Sequence, residues 1–236
     1  MKKDKSLPPP SLERLARLYV LLGKIQKQGI QVVTSKTLSS LLGVPDHTIR
    51  KDLSFLREGT GEYRPVGRDP VSNGQNGSPA GKGYPLESLR ALIAEQLGLD
   101  RTRTACLVGL GHLGVAILHR KLWQEGAYRL VAAFDVSENR LELLSTRIPL
   151  YHARELESVV RRLQIEIGIL TVPPEAAQEM ADRLVRAGIR GIINFAPVVL
   201  SVNSDRVRVR NVSLAGELNI LSAYLYQQEE TNEQSV

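Results

Sequence analysis

From Leu12 onward, apolar side chains recur at Leu12, Leu15, Ala16, Leu18, Tyr19, Leu22 and Ile25, the spacing of one helical face. The polar tract before them ends in Pro8-Pro9-Pro10, so Ser11 is the expected cap of this helix and Gly29 its expected stop. A short strand fits 30–33. Thr34 or Ser35 caps a second helix over 36–42, and Gly43 turns the chain. A third helix begins at Pro45 or Asp46, with Asp46 as its cap, and runs to about residue 58. Within it Ile49, Leu53 and Leu56 are four and three apart and turn inward. Between residues 59 and 85 the periodicity stops. Seven of these 27 residues are glycine and four are proline, which predicts a long loop or a hairpin with a loose tip. A helix over 86–97, closed by Gly98, ends this half.

Beyond Gly98 the pattern changes to apolar runs alternating with helical spacing. Strands are expected over 104–109, 129–136, 165–172 and 191–195, with a short segment at 148–151 and an alternating edge strand over 206–212. Helices are expected over 112–123, 138–145, 154–163, 174–187 and 214–226, followed by a polar tail. Strands alternating with helices predict an α/β fold built on a doubly wound parallel sheet.

The turn after the first of these strands reads Gly109-Leu110-Gly111-His112-Leu113-Gly114 and fits G-x-G-x-x-G. Gly109 allows the tight turn, Gly111 lets the backbone approach a pyrophosphate, and Gly114 lets the helix pack on the sheet. The next strand ends in Phe134-Asp135-Val136, and Asp135 stands 21 residues after Gly114. A carboxylate there accepts hydrogen bonds from both adenosine ribose hydroxyls and repels a 2′-phosphate, which favours NAD(H) over NADP(H). Ligands of open α/β sheets lie beyond the carboxyl ends of the strands. Thr171-Val172-Pro173 and Asn194-Phe195-Ala196-Pro197 occupy two such ends, with Phe195 a candidate flank for a nicotinamide ring and Asn194 a candidate polar contact.

The two short helices around Gly43 are the size of a helix-turn-helix. His47, Thr48, Arg50, Lys51 and Ser54 share the side of the second helix opposite its apolar residues, as in a recognition helix. Arg64, Arg68 and Lys82 in the glycine-rich segment suit a wing that reaches DNA. The charge agrees. Residues 1–100 hold 15 Lys and Arg against 10 Asp and Glu, or +5, while the remainder holds 16 against 15, or +1. Nucleic acid is the partner such a distribution suggests, although a solvated basic surface would account for the charge alone.

The rest of the composition mostly excludes. Hydrophobic residues make up 42% and charged residues 24% of the 236, an ordinary globular profile. No apolar run reaches the roughly 18 residues of a membrane helix, and no apolar stretch follows the N-terminal lysines as in a signal peptide, so a cytoplasmic protein is expected. Cys106 is the sole cysteine and lies in a core strand, which leaves no internal disulfide and disfavours a redox thiol. No cysteine and histidine cluster suggests a metal site. A hydride-transfer enzyme needs an acid or base beside the nicotinamide. None of His47, His112, His119 and His152 has a partner carboxylate at a telling spacing, and no substrate domain follows, so neither enzyme activity nor catalytic residues are expected.

Taken in order, Ile49-Arg50-Lys51-Asp52-Leu53-Ser54, the turn 109–114, Phe134-Asp135-Val136, the runs 169–187 and 191–199, and Asn211-Val212-Ser213-Leu214-Ala215-Gly216-Glu217-Leu218 resemble the Rex family of redox-sensing transcriptional repressors. The resemblance spans about residues 12–226. It implies a winged helix over 1–98 with an extended wing at 59–85, a Rossmann domain over 99–213, and a C-terminal helix and tail over 214–236. That helix would cross to the second subunit of a homodimer. It also implies a repressor that senses NADH and NAD+, with NADH weakening its hold on a palindromic operator. Two recognition helices about 34–36 Å apart would read such a palindrome.

The match departs at three positions. Val20 stands where the family often has arginine, Arg120 where it often has tyrosine, and Ser213 where it often has aspartate. In the family those side chains form a network implied to link cofactor state to the DNA domains. The segment 59–85 is also longer than the usual wing. Two other readings remain beside this one. One is an NAD-binding regulator or architectural DNA-binding protein with a lost or altered redox response; the other, more distant, is an NAD-dependent oxidoreductase.

Overall fold

The computed structural model describes residues 7–56, 83–120, 123 and 126–233. The expected wing at 59–85 therefore lies outside the described residues apart from its last three. The chain forms two compact units, Met1–Arg101 and Thr102–Val236.

The first unit comprises α1 (Pro9–Gln26), β1 (Val32–Val33), α2 (Ser35–Leu42), α3 (Asp46–Phe55), β2 (Tyr84–Pro85) and α4 (Leu86–Gln96). Leu15, Leu18 and Leu22 of α1 and Leu86, Leu89 and Ile93 of α4 repeat the same three-and-four spacing. They bury against Leu38, Ile49 and Leu53. Each such side chain contributes about 1.5–3 kcal/mol relative to an exposed one. β1 and β2 pair antiparallel, with Val33 opposite Tyr84.

Two expected caps are corrected. α1 begins at Pro9, so Ser11 is its third residue and is buried, its hydroxyl accepting from Arg14 Nη2 at 3.3 Å. Proline suits a first turn because its φ is preset and its missing N–H would have had no helical partner, so the helix starts three residues early. Asp46 is the first residue of α3 rather than its cap, and its carboxylate pairs with Arg50 at 2.6 Å. A negative charge in a first turn still favours the helix through its dipole. Thr34 does cap α2, accepting from the Thr37 N–H at 3.1 Å.

The second unit runs β3 (Arg103–Val108), α5 (His112–Leu118), β4 (Tyr128–Asp135), α6 (Glu138–Leu143), β5 (Leu150–His152), a 3-10 turn (Ala153–Glu155) and α7 (Leu156–Arg162). It continues through β6 (Ile167–Leu170), α8 (Pro174–Ala187), β7 (Gly191–Asn194), β8 (Arg208–Asn211) and α9 (Leu214–Glu233). The strands form one parallel sheet in the order β5-β4-β3-β6-β7-β8. Counted within the unit, this is the 3-2-1-4-5-6 order of a dinucleotide-binding fold, with the reversal between β3 and β6. Successive residues of β3 face opposite layers. Cys106 and Val108 join the core shared with Leu156 of α7 and Leu184 of α8. Ala105 and Leu107 join the core shared with Leu118 of α5, against which Leu141 of α6 packs.

Two helix ends differ from expectation. α5 stops at Leu118 rather than at 123. The Trp123 indole donates to the Ile117 carbonyl at 2.7 Å and so satisfies one of the acceptors left at the end of the helix. α9 runs past 226 to Glu233, because Gln227-Gln228-Glu229-Glu230 contains good helix formers and no stop signal. Along α9, Leu218, Ile220, Leu221, Tyr224 and Leu225 are all more than half exposed.

Candidate functional site

The carboxyl ends of β3, β4, β6 and β7 open at the point where the strand order reverses. Gly109 follows β3 with φ +97°, a conformation an L side chain rarely takes, and a Cβ there would sit 2.8 Å from the Thr171 carbonyl oxygen. A Cβ on Gly114 would collide with the Gly109 carbonyl oxygen, so the start of α5 rests directly on the turn. At Gly111 a Cβ would meet nothing within 4 Å. The turn is thus closed against the protein at its two outer glycines and open at the middle one, which fits the approach of a pyrophosphate. Leu110 is buried beneath it, while His112 and Leu113 stand exposed beside it.

Side chains from two other strand ends hold this turn. Asp135, at the end of β4 and only 4% exposed, accepts from the Leu110 N–H at 2.6 Å and from the Ser137 N–H at 2.8 Å. Arg140 Nη1 donates to the same carboxylate at 3.3 and 3.4 Å. The residue read from sequence as a ribose acceptor is therefore also the tie between the turn and β4. Arg140 was not foreseen; its signal lies in the helix start, where Ser137 caps α6 and Arg140 follows one turn later. The Thr171 hydroxyl, at the end of β6, lies 2.7 Å from the Gly109 carbonyl and 3.1 Å from that of Val108. Val172 is half-buried, while Val136 and Pro173 are exposed.

Asn194, the candidate polar contact at the end of β7, is engaged within its own loop. Its side chain is fully buried at the end of β7. The amide donates to the carbonyls of Ala196 at 3.2 Å and Val198 at 2.8 Å and to Asn211 Oδ1 at 3.0 Å, and its oxygen accepts from the Ala196 N–H at 3.0 Å. A buried amide is held where its hydrogen bonds are made. It shapes the loop that carries Phe195, Ala196 and Pro197 and ties that loop to β8. Phe195 is half-buried, Ala196 buried and Pro197 exposed.

In the first unit, α3 presents His47, Arg50, Lys51 and Ser54 to solvent, with Thr48 half-buried at the edge of this face. Their spacing of three, one and three places them on one stripe. Ser54 donates back to the Lys51 carbonyl at 2.6 Å, and Arg50 leans on Asp46. Gly43, at φ +65°, closes α2, and Ser39 donates to the Val44 carbonyl at 2.5 Å, fixing the turn into α3. The other side of α3 carries a feature that sequence reasoning missed. Asp52, 2% exposed, receives Arg14 Nε at 2.6 Å and Nη2 at 2.8 Å, which ties α3 to α1 and raises the Arg14 pKa. Arg64, Arg68 and Lys82 lie outside the described residues. Among the described residues no helix is long and apolar enough to cross a membrane.

Comparison with known proteins covers both units. Residues 100–198 match the family model described as "CoA binding domain", and residues 6–54 match "Putative DNA-binding protein N-terminus". The chain is 36% identical over 231 residues to the redox-sensing transcriptional repressor Rex of Lactococcus lactis subsp. cremoris strain MG1363, covering 97% of this chain and 98% of that protein. Its fold is similar to that of RSP, a Rex-family repressor, in complex with beta-NADH, with a TM-score of 0.78, 30% identity, and coverage of 96% of this chain and 98% of the other. RSP in complex with beta-NAD+ and operator DNA is matched with a TM-score of 0.76 at 31% identity, covering 98% of this chain and 97% of the other.

Proposed function

The chain belongs to the Rex family of redox-sensing transcriptional repressors, and from that premise we propose that it is a dimeric DNA-binding repressor whose hold on a palindromic operator follows the NADH/NAD+ ratio. The observation that carries this is the pairing, in one chain, of a glycine turn open only at Gly111 with a basic stripe on α3 free of the fold. We assign DNA reading to 1–98, dinucleotide binding to 99–213 and dimer formation to the helix and tail from 214. The exposed apolar side chains of α9 between Leu214 and Tyr226 support the last assignment, since so many large apolar groups in solvent on one helix call for a partner.

When bound, the dinucleotide supplies the signal, because its nicotinamide is charged when oxidised and neutral when reduced. The chain's own residues do the rest. Gly109, Gly111 and Gly114 admit the pyrophosphate, with Leu110, His112 and Leu113 around them. Asp135 and Val136 meet the adenosine. Thr171, Val172, Pro173, Phe195, Ala196 and Pro197 border the nicotinamide end, and Asn194 holds their loop in place. His47, Thr48, Arg50, Lys51 and Ser54 face DNA, with Arg64, Arg68 and Lys82 from the wing. A ligand shifts the DNA-competent population only by its differential affinity for the two states, and typical couplings change operator affinity roughly 5- to 150-fold. Such a device makes and breaks no covalent bond, so we assign no enzyme activity, and its DNA target places it in the cytoplasm.

Operator binding titrated separately with NADH and NAD+ at fixed salt tests this. NADH should release DNA and NAD+ should not. A second reading, a regulator with altered redox response, rests on three residues. Val20 is 58% exposed and its side chain can neither pair nor hydrogen-bond. Arg120 is exposed, and the Ser213 hydroxyl accepts from the Gly216 N–H at 3.1 Å at the start of α9. Equal effects of both cofactors on operator affinity, with both still bound, would select it.

A further inference from the structure

The carboxyl ends of the strands carry the glycine turn, and the amino ends of the same sheet carry a second group of charges. Arg103 opens β3, Glu166 immediately precedes β6, and Arg190 immediately precedes β7. Arg206 lies two residues before β8 and Arg208 opens it. These four strands are neighbours in the sheet, and parallel pairing sets Ile167 opposite Gly191 and Gly191 opposite Arg208. The charged side chains surround a pocket of about 290 Å³.

Its electrostatics are unbalanced. Glu166 receives Arg103 at 2.9 Å and Arg190 at 3.2 Å, so one carboxylate serves two guanidinium groups. Arg206 and Arg208 are exposed and have no ion-pair partner among the described residues. Four arginines against one glutamate leave +3 around one cavity, and like charges so placed repel. The floor is bare. A Cβ on Gly191 would come no closer than 3.9 Å to Ile167 or Arg208.

We propose that this pocket binds a small phosphorylated anion, with its phosphate groups between Arg190, Arg206 and Arg208 and the Arg103–Glu166 pair as the opposite wall. A guanidinium fork matches two phosphate oxygens at once, and a multiply charged anion neutralises what Glu166 leaves over. The volume is at the small end for ligand sites and suits a compact group. The pocket is distinct from the glycine turn, since the length of β3, roughly 17 Å, separates them. It gives the protein a place for a second, phosphate-bearing signal.

Calorimetric titration of the full chain with inorganic pyrophosphate, with and without NADH, tests the proposal. Saturable binding is expected in both conditions. Arg206→Ala/Arg208→Ala should weaken it roughly tenfold or more, the size of one or two lost charge-assisted hydrogen bonds. Gly191→Val fills the floor, leaves every charge in place, and should abolish binding. Thermal melting of each variant reports that it is folded, and the double arginine variant alters only exposed side chains. The proposal is overturned if the unaltered protein shows no saturable binding, if a folded variant binds as tightly as the parent, or if NADH displaces the pyrophosphate. It also falls if the arginine substitutions weaken random-sequence DNA and leave pyrophosphate unaffected. The pyrophosphate arm without NADH reads out even if the redox reading fails.

Discussion

On α3, His47, Arg50, Lys51 and Ser54 stand in solvent while Ile49, Asp52 and Leu53 hold the helix down; at the turn after β3, Gly109, Gly114, Thr171 and Asp135 are themselves what holds the chain in place. On the roles proposed for them, the first region separates binding from folding by using two sides of one helix. The second merges them, because a dinucleotide is met by backbone, and backbone can be positioned only by the packing beneath it. Substitutions should therefore lower affinity alone in the first region, and affinity together with stability in the second.

The strongest way to break this contrast is Gly114→Val. Its added carbons collide with the Gly109 carbonyl, so we expect a loss of at least about 3 kcal/mol in stability together with loss of NADH binding, read by urea unfolding and NADH fluorescence. A purely local role would leave the unfolding midpoint unchanged. Next is Asp52→Ala, on the buried side of α3. It strips Arg14 of a partner in a largely buried pair and should cost about 3 kcal/mol in urea unfolding. Operator affinity should fall only as far as the unfolded fraction requires.

On the exposed side, Arg50→Ala and Lys51→Ala should each weaken operator binding by roughly 1–3 kcal/mol if they reach bases, or reduce the salt slope by about one unit if they reach phosphates. Stability should move by no more than about 0.5 kcal/mol. A large stability loss there would erase the distinction between the two sides.

The smallest effect concerns the pair between α7 and α8, which lies away from both binding regions. Two hydrogen bonds from Arg183 at 2.6 and 2.7 Å lower the Glu157 pKa from 4.5 to about 2. A depressed folded-state pKa stabilises above the unfolded value, and that stabilisation is lost as pH falls from about 4.5 toward 2. Because the pair meets solvent, the effect should be on the order of 1 kcal/mol. Unfolding at about pH 5 and about pH 2.5 should show that extra loss in the parent and not in Glu157→Gln.

Much of the fold was legible in the sequence. α8 was bounded correctly because Pro174 starts it and Gly188, at φ +101°, ends it, and both signals are local. The glycine turn was legible for the same reason: three glycines in six residues encode both the sharp turn and the close packing. The errors also have local causes. Ser11 and Asp46 have the side chains of caps, but a proline holds the cap position at both places, Pro8 before α1 and Pro45 before α3. The end of α5 was misplaced because the indole that satisfies it belongs to a residue outside the helix.

Residue order alone thus determined the alternation of helices and strands, the glycine turn after β3 and the basic stripe on α3, since each depends on spacing within a few residues. Tertiary structure alone decided that Asp52 binds Arg14, 38 positions away, and that Asn194 faces its own loop and Asn211 rather than the crevice. It also decided that Arg103, Arg190, Arg206 and Arg208 share one pocket. The reason is physical: periodicity records which side of an element is buried, whereas the partner that meets a polar group is set by strand order and register, which bring together residues that no local pattern connects.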